Sequence, residues 1–125
     1  MSAPKTETKL EDLSSIESNF IQFFNSVARD AQANSANKGF WDKERNKGEM
    51  IALMHSELSE CLEFVRKPAQ DDKIPDFTGE TVELADCIIR IMDYAVGFNL
   101  PIAEAILAKM HFNTTREKMH GGKKF

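Results

Sequence analysis

The sequence predicts an all-α protein, an antiparallel four-helix bundle, on three observations. Apolar residues recur at intervals of three and four along four segments, as they do on one face of an amphipathic helix. Caps and helix breakers separate these segments, and no stretch has the alternating pattern of a strand. Two of the three connections are short, which favours neighbouring helices that run in opposite directions.

The first predicted helix has apolar residues at helical spacing over residues 13–31. Its start has two alternatives, because Ser14 with Glu17 and Thr8 with Glu11 both have capping-box spacing.

The segment 34–39 (Asn-Ser-Ala-Asn-Lys-Gly) breaks this pattern and predicts a loop. Trp41 follows in the same connection and has two interpretations. It is either a lid over the core or an aromatic platform on which a nucleotide base stacks.

The second predicted helix begins near Asn46, with Glu49 three residues on, and runs to about Lys67. Pro68 ends it, and the polar segment that follows, up to Gly79, predicts a linker.

The third predicted helix runs from about Thr78, the expected N-cap, to Val96, with Gly97 as its C-cap. It is apolar on most sides, so it should be packed on most sides, and self-association through helix faces is expected. The fourth begins at Pro101, because proline is favoured in a first turn, and continues to about Lys118.

Length and composition predict one domain. The 125 residues, 42% hydrophobic and 29% charged, suffice for a core. The polar composition of residues 1–10 predicts a disordered tail. Residues 11–125 are expected to form the helical domain, and the last six of them, residues 120–125, to be a flexible basic tail. Cys61 and Cys87 are expected to be buried, inert thiols.

Charge and hydropathy limit the partners and the cellular compartment that the sequence predicts. The formal charge of −4 argues against nucleic acid as a partner. No apolar run has membrane-spanning length, and the N-terminus has no signal-type hydrophobic core. The expectation is a cytoplasmic protein without a membrane partner.

Two acidic pairs lie inside apolar helical runs, Glu57 with Glu60 and Glu83 with Asp86. Residues three apart are neighbours on a helix surface, so each pair points in roughly one direction. Desolvating acids is costly, so two adjacent pairs predict a four-carboxylate cluster around a divalent cation. Oxygen ligands favour Mg²⁺, with Mn²⁺ and Ca²⁺ as alternatives, over iron, copper or zinc. The three histidines stand at the wrong offsets for a di-iron bundle.

The ordered motif Glu57-x-x-Glu60, a helix–loop–helix spacer and Glu83-x-x-Asp86 resembles the MazG-like all-α nucleoside triphosphate pyrophosphohydrolases. The resemblance covers about residues 15–125. It implies Mg²⁺-dependent hydrolysis between the α and β phosphates of a nucleoside or deoxynucleoside triphosphate, with Mn²⁺ as an alternative metal. The products would be a monophosphate and pyrophosphate, and the enzyme a homodimer or homotetramer.

Three further segments carry the resemblance, namely residues 39–60, 109–116 and 121–124. Two positions depart from the family pattern. Ser56 stands where the family often has a second glutamate, and Arg90 where some relatives have an aromatic residue that touches the nucleotide. The departures concern metal geometry and substrate choice.

The resemblance also implies residue roles. All four acids would be metal ligands, and Glu60 would also position the attacking water. The implied substrate contacts are Trp41 at the base and, at the phosphates, Lys109, Asn113, Arg116, Lys123 and Lys124. The row on the fourth helix suits this role, since arginine offers bidentate phosphate contacts and lysine a point charge.

Two other functions stay open. In a non-catalytic interaction protein the acidic rows would form salt bridges, with Arg90 pairing with Glu83 or Asp86 along the helix. A related enzyme would act on phosphoribosyl-ATP of histidine synthesis instead. Base and sugar preference, the number of metal ions, the general base and the biological role also stay open.

Overall fold

The computed structural model describes residues 13–116, and all regular structure among them is helical. The helices are α1 (Ser15–Asn37), α2 (Lys47–Arg66), α3 (Gly79–Gly97) and α4 (Ile102–Thr114). This range contains no β-strand, only an isolated bridge between Gln70 and Thr78. It also contains no single helix long and apolar enough to cross a membrane, although α3 and α4 taken together meet that test by length and composition. The predicted all-α class is confirmed.

Side-chain caps begin three helices, α2 and α3 where they were predicted and α1 at Ser14, one of its two predicted alternatives. The hydroxyl of Ser14 accepts the Glu17 N–H at 3.1 Å, and the Glu17 carboxylate accepts the Ser14 N–H at 3.2 Å, a reciprocal capping box. Asn46 Oδ1 accepts the N–H of Glu49 at 2.9 Å, and Thr78 caps α3 in the same way. The alternative cap and both predicted tails lie outside the described residues.

Helix α1 is longer than predicted, since residues 34–37 are helical. Asparagine and serine disfavour helix only weakly, and α1 continues until Gly39 adopts a left-handed φ of 90°. The N–H of Phe40 then bonds to the carbonyl of Ser35 at 3.2 Å, the longer bond of a Schellman motif. The prediction of a loop over 34–39 was therefore wrong for its first four residues.

Helix α3 includes Gly97, so the prediction of this glycine as the C-cap was wrong. The left-handed residue after α3 is Asn99, with a φ of 57°, and the Leu100 N–H bonds to the Ala95 carbonyl at 2.8 Å. Gly97 is required for a different reason. A Cβ at this position would overlap the indole ring of Trp41, which packs directly against the helix backbone.

Helix α4 ends at Thr114, before the predicted Lys118. The hydroxyls of Thr114 and Thr115 donate to the carbonyls of His111 and Phe112 at 2.6 and 2.7 Å. These bonds occupy carbonyls near the helix end, and such local bonding competes with continued helix.

The described chain divides into two compact units. The first contains residues 13–26 and 101–116, and the second contains residues 27–100. In the first unit, the amide of Asn25 donates to Glu104 at 3.1 Å, and the ring of His111 pairs with Glu17 at 2.8 Å. These two polar contacts join α1 to α4.

In the second unit, α2 and α3 pack together. The Cys61 thiol donates to the Glu80 carbonyl, and the Cys87 thiol to the Met54 carbonyl, both at 3.6 Å. The end of α2 therefore lies beside the start of α3. Both thiols are buried and form no disulfide, which confirms their predicted burial. The other buried apolar residues of this unit are Ala28, Met50, Met92 and Ala95.

The connection between α2 and α3 is an ordered loop built around the buried Asp71. Its carboxylate accepts the N–H groups of Lys73 and Ile74 at 3.0 and 2.9 Å. Its own N–H bonds to the carbonyl of Phe77 at 2.9 Å. This loop brings the two acidic helices together.

Candidate metal centre

Three of the four predicted ligands converge, namely Glu57 and Glu60 on α2 and Glu83 on α3. One carboxylate oxygen of each lies within 4.8 Å of the others. Glu57 is buried, Glu83 is half-buried and Glu60 is exposed. The cluster therefore extends from the interior of the second unit to its surface.

Asp86, the fourth predicted ligand, lies one turn after Glu83 on α3 and is not in this group of three. Burial raises the pKa of Asp86, the negative charge of Glu57 raises it further, and Arg90 opposes both effects. Asp86 and Glu57 also line the same cavity. Asp86 is thus an electrostatic neighbour of the cluster.

Crowding of the acids changes their protonation. The hydrogen bond with Glu57, then burial and then Glu60 raise the pKa of Glu83 to about 8. Burial also pushes the pKa of Glu57 upward, but its hydrogen bond with Glu83 and its pair with Arg90 hold that pKa below its usual value. Glu83 and Glu57 therefore share one proton near neutral pH.

A divalent cation fits this donor set. Among the described residues, the buried Oε2 of Glu83 is the side-chain oxygen without a hydrogen-bond partner. Ion pairs within residues 13–116 include none with Glu60, Glu83 or Asp86. A cluster of carboxylate oxygens with uncompensated charge is the environment in which Mg²⁺ or Mn²⁺ binds.

The two positions that depart from the family pattern have different surroundings. The hydroxyl of Ser56 is exposed and donates to the Leu53 carbonyl at 2.6 Å within its own helix. Nε of Arg90 donates to Oε1 of Glu57 at 3.0 Å, from α3 across to α2. Arg90 therefore pairs across the helices, not along α3 as the salt-bridge alternative expected.

A cavity of about 540 Å³ adjoins the acidic cluster. Its volume is within the range of roughly 300–1,000 Å³ that is usual for ligand sites. The last turns of α1, the α1–α2 connection, α2 and α3 all contribute to its lining. Its polar and aromatic lining residues include Asn34, Phe40, Arg45, Glu57, Asp86 and Arg90.

Trp41 is held by the protein itself. Its indole N–H donates to Asp93 at 2.8 Å, and its ring meets that of Phe98 edge-on at a centroid distance of 5.4 Å. Arg45 donates to the same Asp93 at 2.9 Å and lies over the indole at 5.1 Å. These contacts agree with the lid interpretation. Phe40, which is 60% exposed, is the aromatic residue that lines the cavity.

The predicted phosphate-contacting row lies in the first unit. Lys109 and Asn113 are exposed on α4, whereas Arg116 is two residues beyond its end, with its N–H bonded to the Asn113 carbonyl at 3.3 Å. Lys109 and Asn113 therefore lie on the predicted helix, whereas the prediction that Arg116 continues the same helical face was wrong. Lys123 and Lys124 lie outside the described residues.

Sequence reasoning missed Asn34, Phe40, Arg45 and Asp93. The signal for Asn34 was Gly39, which marks the end of α1 and so places residue 34 on a helix. Nothing in the spacing of Arg45 and Asp93, 48 positions apart, signalled their pair.

Comparison of the chain with protein-family models, curated proteins and solved structures found no match.

Proposed function

We propose that this chain is a Mg²⁺-dependent nucleoside triphosphate pyrophosphohydrolase with the antiparallel MazG-like four-helix fold. The observation that carries the proposal is the convergence of Glu57, Glu60 and Glu83, with oxygens within 4.8 Å of one another beside a cavity of ligand size. Mn²⁺ is an alternative metal. The course of the α2–α3 contacts, with the end of one helix beside the start of the next, supports the antiparallel arrangement.

The proposed chemistry assigns each acid a role. Glu57, Glu83 and Asp86 would hold the metal together with Glu60. When bound, Mg²⁺ supplies polarisation of phosphoryl oxygens and a lowered pKa of a coordinated water. Glu60, the exposed member, would orient the attacking water and take its proton. A bond forms between the water oxygen and the α-phosphorus, and pyrophosphate leaves with the electron pair of the broken anhydride bond.

The interaction-protein alternative is less well supported. Acidic rows that served only in salt bridges would need basic partners. Among the residues that the structure describes, Arg90 is the cation paired with the cluster, and it reaches Glu57 alone. Glu83 and Asp86 are half-buried, and a partly buried carboxylate without a cation costs stability unless a proton or a ligand compensates.

A second copy of the chain is the proposed partner, as a homodimer or homotetramer. Within the described part of the chain, no large side chain is fully buried. Apolar residues that are about half exposed form a row on α2 and another on α3, and the row residues are Leu58, Leu62, Val65, Leu84 and Ile88. Covering these rows would remove apolar area from water and stabilise an assembly.

Pyrophosphate release tests the proposal. The full chain would be incubated with Mg²⁺ or EDTA and a panel of canonical nucleotides, damaged nucleotides and phosphoribosyl-ATP. We expect Mg²⁺-dependent release from at least one triphosphate, reduced by at least roughly 100-fold in Glu83→Gln and Asp86→Asn. Glu63→Gln is the matched control, because Glu63 lies on α2 in an exposed pair with Arg66.

Two results would contradict this function. A folded wild type that releases no pyrophosphate from any compound would favour the interaction protein. Release from phosphoribosyl-ATP alone would select the related enzyme.

A further inference from the structure

Arg90 joins the acidic cluster to the cavity. Its Nε donates to Glu57 at 3.0 Å, and both residues line the cavity with Asp86. The Arg90 side chain is 38% exposed, whereas that of Glu57 is 9% exposed. The guanidinium thus holds a buried carboxylate from a position that a ligand in the cavity can reach.

This pair leaves most of the guanidinium available. Arginine has five N–H donors, and within residues 13–116 Arg90 uses only the one on Nε. The four donors on its terminal amino groups have the geometry for bidentate bonds to a phosphate.

The other arginine of the cavity is fixed in place. Arg45 is 14% exposed, forms a salt bridge with the 12% exposed Asp93, and lies over the rings of Phe40 and Trp41. Breaking that partly buried pair would leave a charge without a partner, which is costly. Arg90, with one hydrogen bond and a more exposed side chain, is better placed to change partner.

Glu57 has two competing cations in this arrangement. It is both the acceptor of Arg90 and a member of the proposed metal-ligand group. A divalent cation bound to Glu57 would reduce the attraction of the carboxylate for Arg90 and so release the guanidinium.

We propose that Arg90 exchanges partners, holding Glu57 in the metal-free protein and binding a phosphate of the substrate once a metal occupies Glu57. The proposal rests on the proposed function and adds a specific phosphate-binding residue to it. It makes metal binding and phosphate binding mutually reinforcing, because coupling between two ligands is reciprocal.

Calorimetric titration of the full chain tests the exchange without turnover. The first probe is Mn²⁺ alone. The second is tripolyphosphate, a chain of three phosphates without a nucleobase, in the presence of excess Mg²⁺. For Arg90→Gln, we expect Mn²⁺ affinity to rise about three- to tenfold and tripolyphosphate affinity to fall about ten- to hundredfold. Arg90→Lys keeps the charge and should recover part of both values. Arg66→Gln, which removes an exposed arginine from an ion pair on α2, should change neither.

The outcomes separate the two proposals. Unchanged or weaker Mn²⁺ binding in a folded Arg90→Gln protein overturns the exchange, as does unchanged tripolyphosphate affinity. A wild type that gives the expected binding pattern but no pyrophosphate release supports the exchange and refutes the enzymatic function. A wild type that binds no Mn²⁺ overturns both.

Discussion

Replacing Glu83 with glutamine should make the metal-free protein more stable at pH 8 and leave its stability at pH 4.5 nearly unchanged. Glu83 lies against Glu57 and Glu60, which together with burial raise its pKa from 4.5 to about 8. Glutamine has nearly the same shape, carries no charge at any pH and keeps a donor for Glu57. The substitution therefore removes the charge repulsion and little else.

The sign follows from proton linkage. Because the folded protein binds the Glu83 proton more tightly than the unfolded chain does, stability falls as pH rises from about 4.5 through 8. Below this window the group is protonated in both states. Glu57 contributes outside this pH window. Its pKa is lowered by folding, so its contribution to stability is lost only as the pH falls below the pKa that it has in the unfolded chain.

The magnitude is set by the pKa and by exposure. A rise from 4.5 to about 8 corresponds to at most about 5 kcal/mol at 1.36 kcal/mol per tenfold change in proton affinity. Glu83 is half-buried, so solvent screening reduces this value. We expect Glu83→Gln to be about 1–2 kcal/mol more stable than the wild type at pH 8 in EDTA.

Urea denaturation at pH 4.5, 6 and 8, monitored by circular dichroism, measures this difference. Equal slopes of unfolding free energy against urea would show that the two proteins unfold alike. Glu63→Gln is the control, because its 69% exposed carboxylate should give no pH-dependent gain. A Glu83→Gln protein no more stable than wild type at pH 8 would refute the crowding of the three glutamates.

Three further predictions concern packing. Gly97→Ala should destabilise the fold by about 1–3 kcal/mol, because its methyl group overlaps the Trp41 ring; urea denaturation and the emission of this single tryptophan would show it, and an unchanged spectrum and stability would contradict it. Trp41→Phe should cost about 1.5–3 kcal/mol, since Asp93 loses a charged hydrogen bond; equal stability in urea denaturation monitored by circular dichroism would contradict the bond. Ile88→Glu should dissociate the proposed homo-oligomer and lower its mass in light scattering, whereas Ile74→Glu, in the α2–α3 loop, should not; an unaltered mass for Ile88→Glu would contradict a proposed interface through this residue.

Local signals in the sequence were sufficient to predict the helices, the starts of α2 and α3, and the start of α1 as one of two alternatives. The N-caps at Ser14, Asn46 and Thr78 depend on residues within one turn, so the sequence contains the whole interaction. Helix ends were harder to predict. The role of Gly97 depends on packing with Trp41, which is 56 positions away in the chain, and no local pattern reports such a contact.

The candidate site was predictable to a similar depth. Spacing within α2 and α3 identified the acids, because residues three apart share a helix surface. Spacing could not show that Glu57, Glu60 and Glu83 converge while Asp86 stands beside them, since that depends on the relative rotation of two helices. It also could not show that Arg90 reaches across to Glu57, because Glu57 is 33 positions away in the chain whereas the along-helix candidates Glu83 and Asp86 lie within two turns of Arg90.

The formal charges around the cluster bring these observations together. In the metal-free protein, the proton on Glu83 and the ion pair of Arg90 with Glu57 both reduce the negative charge of the cluster. Carboxylate ligands bind metals in their deprotonated form, so metal binding at neutral pH would release the Glu83 proton. The proton on Glu83 and the guanidinium on Glu57 thus have the same physical role, which is to neutralise, in the metal-free protein, the carboxylates that a metal would bind.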